Sequence, residues 1–166
     1  GEPAAPQTFT TSEILVALGV VAVNGSMVLV RDNRLAFRLS LLTCLAGFIL
    51  LGSALIGRQW GLGAFPFMVL VGLGLYLPYV AVHATIFERL LAMTRDKGNI
   101  GFLIYVADSI GYLGYVGCML FKGAFDHKGA FLPFFTAACW TTCALSIVCI
   151  LAGWRYFGDK RLAESP

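Results

Sequence analysis

Five apolar runs, each long enough to cross a bilayer, constrain this chain more than any other feature. A spanning helix needs about 20 mostly apolar residues, and within hydrocarbon every backbone polar group must be satisfied inside the protein. The runs cover residues 14–30, 35–57, 62–87, 100–121 and 131–157. None shows the alternation of a lipid-facing β-strand, so the expected fold is all-α, a polytopic transmembrane helical bundle of five spans. Residues 1–12 read as an outer-side loop, 13–158 as the transmembrane bundle and 159–166 as a cytoplasmic tail.

Composition agrees with that reading. Hydrophobic residues make up 58% of the 166 and charged residues 13%, against about a quarter charged in soluble domains. Mean hydropathy is +0.81. The net charge of +3 is divided among short clusters between the apolar runs, so no nucleic-acid partner is expected and the lipid bilayer is the first one. The clusters also orient the bundle. Arg31, Arg34, Arg38, Arg89, Arg95, Lys97, Arg155, Lys160 and Arg161 fall on one side, nine in all, and Arg58, Lys122 and Lys128 on the other. The positive-inside rule makes the first group cytoplasmic. The C-terminus is then inside and the N-terminus outside, in an integral protein of a bacterial inner (plasma) membrane. The opening stretch from Gly1 to Ser12 has neither the basic n-region nor the cleavage site of a signal peptide. An odd number of spans with an outside N-terminus reads as a piece of a longer protein, with N-terminal helices of the same parent chain missing.

One acid lies deep in an apolar run. A carboxylate at a helix centre costs about 2.5–3.5 kcal/mol on insertion scales, so Asp108 is expected to face protein or water and to hold a partner. Gly101, Tyr105, Asp108, Tyr112 and Tyr115 step by four, three, four and three residues, which sets them on one helix face. The preceding span carries a second polar stripe, Tyr76, Tyr79 and His83. Counted from the cytoplasmic boundary near Arg89, His83 lies ~9 Å and Asp108 ~14 Å into the membrane at 1.5 Å per residue. The two are candidate neighbours able to share a proton. The competing reading gives Asp108 a structural hydrogen bond to a tyrosine or to Asn24.

Packing surfaces are also legible. Membrane helices associate where small residues let backbones approach. Ser40, Thr43 and Gly47 align on the second helix, Ala107, Gly111, Gly114 and Cys118 on the fourth, and Cys139, Cys143, Ser146 and Gly153 on the last, while the third carries Gly72 and Gly74. Pro66 lies near the outer end of the third span and Pro78 well inside it. An internal proline removes a backbone bond and kinks its helix, either as a hinge lining a cavity or as static packing. Glu88, Arg89, Arg34 and Arg38 gather at the cytoplasmic ends. They are candidates for a conformational lock, or simple interface anchors.

No enzyme is expected. Walker, HExxH, CxxC and GxSxG motifs are all missing, and the five cysteines pair with no nearby histidine in metal-ligand spacing. No metal or other cofactor is implied. His127, beside Asp126 and Lys128, reads as a solvated loop residue.

Two resemblances follow from these residues. The topology is similar to helices eight to twelve of a major facilitator superfamily transporter, and Val30-Arg31-Asp32-Asn33-Arg34 followed by Arg38 resembles that family's basic cytoplasmic loop. It departs from the pattern in two ways: Gly25 precedes Asp32 by seven residues instead of four, and Arg comes before Asp. Leu77-Pro78-Tyr79, Phe87-Glu88-Arg89-Leu90 and the run from Gly101 to Gly114 resemble an uncharacterised bacterial membrane family, a domain of unknown function within the same superfamily. That resemblance covers most of Leu62 to Phe121 and implies a twelve-helix parent.

The expected function is therefore that of a secondary transporter fragment moving a small solute, proton-coupled. Tyr76, Tyr79, Tyr105, Asp108 and Tyr112 would line the path, and His83 would tune the proton. The alternative is a membrane sensor or assembly subunit that transports nothing.

Overall fold

In the computed structural model, which describes residues 5–94, 98–124 and 131–159, the chain is helical throughout apart from short turns. Helix α1 covers Ala5–Ser26 and closes in a 3-10 turn, Met27–Leu29. Helix α2 covers Asn33–Gln59. Helix α3, Ala64–Ala81, runs through a π turn, Val82–Ile86, directly into α4, Phe87–Thr94. Helices α5, Ile100–Ala124, and α6, Phe131–Asp159, complete the order. Five of these units are long and apolar enough to cross a membrane: α1, α2, α3 with α4, α5 and α6.

Local chemistry sets the boundaries. Asp32 caps α2, its carboxylate accepting from the backbone N–H of Arg34 at 2.8 Å and of Leu35 at 3.3 Å, which satisfies donors the first turn leaves open. At the other end Gly61, at φ +91°, lets the chain reverse while the N–H of Leu62 donates to the carbonyl of Gly57 at 2.9 Å. A left-handed residue is what such a helix stop requires.

Two boundaries differ from expectation. Residues 5–12 are helix where the sequence reads as loop. Pro6 falls in the first turn, where its missing N–H costs no bond. The hydroxyls of Thr11 and Ser12 donate back to the carbonyls of Gln7 and Phe9, at 2.8 Å each, so their polarity is satisfied within the helix. The third span, expected to end at residue 87, continues as one helical rod to Thr94. The expected tail beyond residue 159, the Arg95–Lys97 turn and the His127 loop lie outside the described residues.

Helix α2 is the centre of the packing. Ala36, Ser40, Cys44, Leu51 and Leu55 form its buried stripe, each 2% exposed or less, and the Ser40 hydroxyl donates to the carbonyl of Ala36. Against α3 the approach is made by Gly47 and Gly74. A Cβ on Gly47 would stand 2.7 Å from the Pro78 ring, and one on Gly74 would stand 2.8 Å from Leu51. On its other face α3 meets α1, where Gly72 faces Val16 and Gly19 faces Leu73. The last helix joins α2 through Cys139 and Cys143, buried with Leu51 and Leu55. The Cys143 thiol donates to the carbonyl of Phe48 at 3.3 Å, and Phe37 meets Phe157 edge to face. These small-residue surfaces bring backbones together as expected.

Helix α5 does not follow that rule. Gly111 and Gly114 have nothing within 4 Å, and Cys118 is exposed. Its small-residue stripe is therefore unpartnered among the described residues.

Candidate functional site

Pro78 has no N–H to give the carbonyl of Gly74, and that carbonyl lies against Gly47. Four residues further on, the ladder widens into the π turn, Val82–Ile86. Insertions of this kind recur at functional sites, and His83 sits inside this one. Its Nδ1 lies 2.9 Å from the carbonyl of Tyr79, and its Nε2 lies 2.8 Å from Oδ1 of Asp108 on α5. The Tyr79 ring tilts over the imidazole, with centroids 4.3 Å apart. The side chains of His83 and Asp108 are 22% and 36% exposed, so the pair is sheltered and still reachable.

The hydrogen bonds count the protons. A carbonyl only accepts, so the contact to Tyr79 is a hydrogen bond when Nδ1 carries the hydrogen. The 2.8 Å contact from Nε2 to the carboxylate then needs one more proton, either on Nε2 as an imidazolium–carboxylate pair or on Asp108 as a carboxylic acid. Without it, an Nε2 lone pair would face an anionic oxygen. Both contacts are hydrogen bonds together only with that proton; in the other neutral tautomer Nε2–H still donates to Asp108 and only the bond to Tyr79 is given up.

The remaining predicted residues divide into two groups. Tyr76 and Tyr79, on the stripe leading to His83, and Tyr105 and Tyr112, a turn either side of Asp108, are all exposed. None of their hydroxyls bonds Asp108 among the described residues. Nor does Asn24: it is buried, donates to the carbonyl of Val20 at 3.2 Å, and leaves its Oδ1 without a partner.

The charged cluster assembles differently from the expected lock. Arg89 donates from Nη1 to Oδ1 of Asn33, the first residue of α2, at 2.6 Å. Glu88 is exposed and pairs with neither Arg34 nor Arg38 among the described residues. The cause is the length of the third rod: Arg89 lies within a helix that continues to Thr94, which turns it onto the start of α2.

A second site went unread in the sequence. Between α1 from Phe9 to Val21, α3 from Phe67 to Tyr76 and Phe135 of α6 lies a cleft of about 860 Å³. Its wall carries a carboxylate, Glu13. Reading residues 1–12 as loop placed Glu13 at the bilayer edge; in a helix that starts at Ala5 it is an exposed acid where the polar first turns of α1 give way to its apolar run. Helical periodicity continued back from Val16 through Ser12 was the signal that could have found it.

Five membrane-length helices, with an ionisable pair joining the third to the fourth, define an all-α protein of the membrane-spanning class. The chain belongs to a family of unknown function, DUF5690, whose model matches residues 1–160. No curated protein and no solved structure matches it.

Proposed function

We propose that the chain is part of a secondary transporter of the facilitator type, in which the His83–Asp108 pair couples a proton to movement of a small solute. Facilitator-type proteins rock one bundle against another around a site near the membrane midplane. The observation that carries the reading is the 2.8 Å contact from His83 Nε2 to Asp108 Oδ1. It ties α5 to the π turn of α3, and one more proton makes hydrogen bonds of both His83 ring contacts at once. Protonation would strengthen the hold of α3 on α5, and release of the proton would weaken it to a single neutral-donor hydrogen bond. Tyr76 and Tyr79 on α3 and Tyr105 and Tyr112 on α5 would supply hydroxyls and aromatic walls to the path between them. Helices of the same parent chain would close the other side. The chain itself performs no catalysis in this reading, and the gradient supplies the energy.

The test is accumulation of solutes by the full chain in proteoliposomes under an imposed pH gradient, using a panel of amino acids, sugars, nucleosides and organic cations. Asp108→Asn can donate to or accept from Nε2 of neutral His83, so it keeps a partner there and removes the carboxylate that would hold the proton. Gradient-driven accumulation should fall at least tenfold while the fold is retained. Unchanged accumulation with an unchanged pH response would overturn the proposal.

The open small-residue stripe of α5 favours a second reading, a sensor or assembly subunit whose α5 docks a partner helix. Stable co-purification of another membrane protein, lost in Gly111→Leu, would support that reading over transport.

A further inference from the structure

The cleft against α1 has the chemistry of a cation site. Helices α1 and α3 touch where Gly72 receives Val16 and Gly19 receives Leu73, and the cleft runs along this contact from Phe9 to Val21 of α1. At about 860 Å³ the opening is within the range of small-molecule sites, about 300–1,000 Å³. Its walls include four aromatic rings, Phe9, Phe67, Tyr76 and Phe135, and one carboxylate, Glu13. No cation stands within ion-pair distance of Glu13 among the described residues. The neighbouring Ser12 hydroxyl is occupied by the carbonyl of Phe9. The Arg58 guanidinium lies over the Phe67 ring, 5.8 Å from its centroid, and donates to the carbonyl of Leu62 at 3.1 Å.

A carboxylate on the wall of an otherwise apolar cleft attracts a positive charge, and aromatic faces attract the same sign through their quadrupoles. We infer that this cleft binds an amphiphilic organic cation, with its charge at Glu13 and its apolar body against the four rings. An anionic or neutral lipid tail would fill the same volume, but its presence would leave Glu13 without a counter-charge. Binding rests on the cleft alone. That the cation is also the transported solute rests on the transporter reading, and Tyr76 links the two, since it lines the cleft and lies seven residues, about 10 Å of helix, from His83.

The experiment is equilibrium dialysis of tetraphenylphosphonium against the full chain in phosphatidylcholine nanodiscs, with tetraphenylborate as the anion of the same shape. Saturable binding of the cation is expected, at least tenfold tighter than that of the anion. Glu13→Gln should weaken it tenfold or more, and Ala17→Phe, which fills the cleft from an exposed position, should weaken it without touching the charge. Equal binding of the two ions, or a cation affinity unchanged in both variants, would overturn the site. No gradient is applied, so that failure would leave the transporter reading standing.

Discussion

Arg89 reaches from α4 to the first residue of α2, and its side chain is half-buried with Nε lacking any acceptor among the described residues. A hydrogen bond to a charged group contributes about 1.5–3 kcal/mol, and truncating one partner strands the other. Asn33→Ala should therefore lower stability by about that amount, read as a lower melting temperature in detergent. Asn33→Asp should do the reverse. It offers a second oxygen to the unpartnered Nε, turns the contact into an ion pair, and adds a negative charge where the helix dipole favours one. If both variants melt with the wild type, Arg89 holds no conformation and is only an interface anchor. At His83 two acceptors, the carbonyl of Tyr79 and the carboxylate of Asp108, face the two ring nitrogens, and only the doubly protonated ring or a protonated Asp108 lets both contacts be hydrogen bonds.

Helices α2 and α3 meet on glycine, and the fit leaves no room. A side chain at Gly47 meets the Pro78 ring at 2.7 Å and the Gly74 carbonyl at 3.1 Å. Neither neighbour is the free end of a flexible chain. Gly47→Val should cost about 1–3 kcal/mol, as overpacking does, and should also disturb the π turn that begins four residues after Pro78. Gly111→Ala on α5 meets nothing and should gain about 0.5–1 kcal/mol from helix propensity. Thermal melts of the two variants side by side check the contrast; equal shifts would mean that α2 and α3 are not packed on this seam. These contrasts show what could be read from residues alone. The five rods were legible because hydrocarbon demands long apolar helices, and the His83–Asp108 pair because both lie on rods of known rise counted from one boundary. The Arg89–Asn33 contact was not, since it depends on how far α4 continues past Glu88. Glu13 was hidden because Thr and Ser back-bonding within a helix leaves the same polar residues that mark a loop.

At the scale of the whole molecule, α5 stands apart. The other four rods bury one another through α2 and α3, whereas the span Ile100–Leu120 has none of its residues buried and meets the rest through α4 and the Asp108 contact. Its two faces make opposite demands on their surroundings. Tyr105 and Tyr112 flank the carboxylate on one, and Ile110 and Leu113 are 68% and 78% exposed on the others. If the tyrosine face borders a water-filled path, a cysteine there will ionise and react with a charged thiol reagent; one on the apolar face, held in lipid, will not. The background follows from the structure. Cys118 and Cys149 are exposed and are replaced by serine. Cys44, Cys139 and Cys143 are buried and are kept, two of their thiols donating to the carbonyls of Pro78 and Phe48. In that background Tyr112→Cys in membranes should be modified by a methanethiosulfonate ammonium at least tenfold faster than Leu113→Cys. Bound tetraphenylphosphonium should leave this rate unchanged if its only seat is the Glu13 cleft, and slow it if the cation also moves along the Tyr76–Tyr79 stripe toward Asp108. Equal, slow modification at both positions would mean that the polar face of α5 is covered. The α3–α5 pair would then be a docking contact and not the wall of a path.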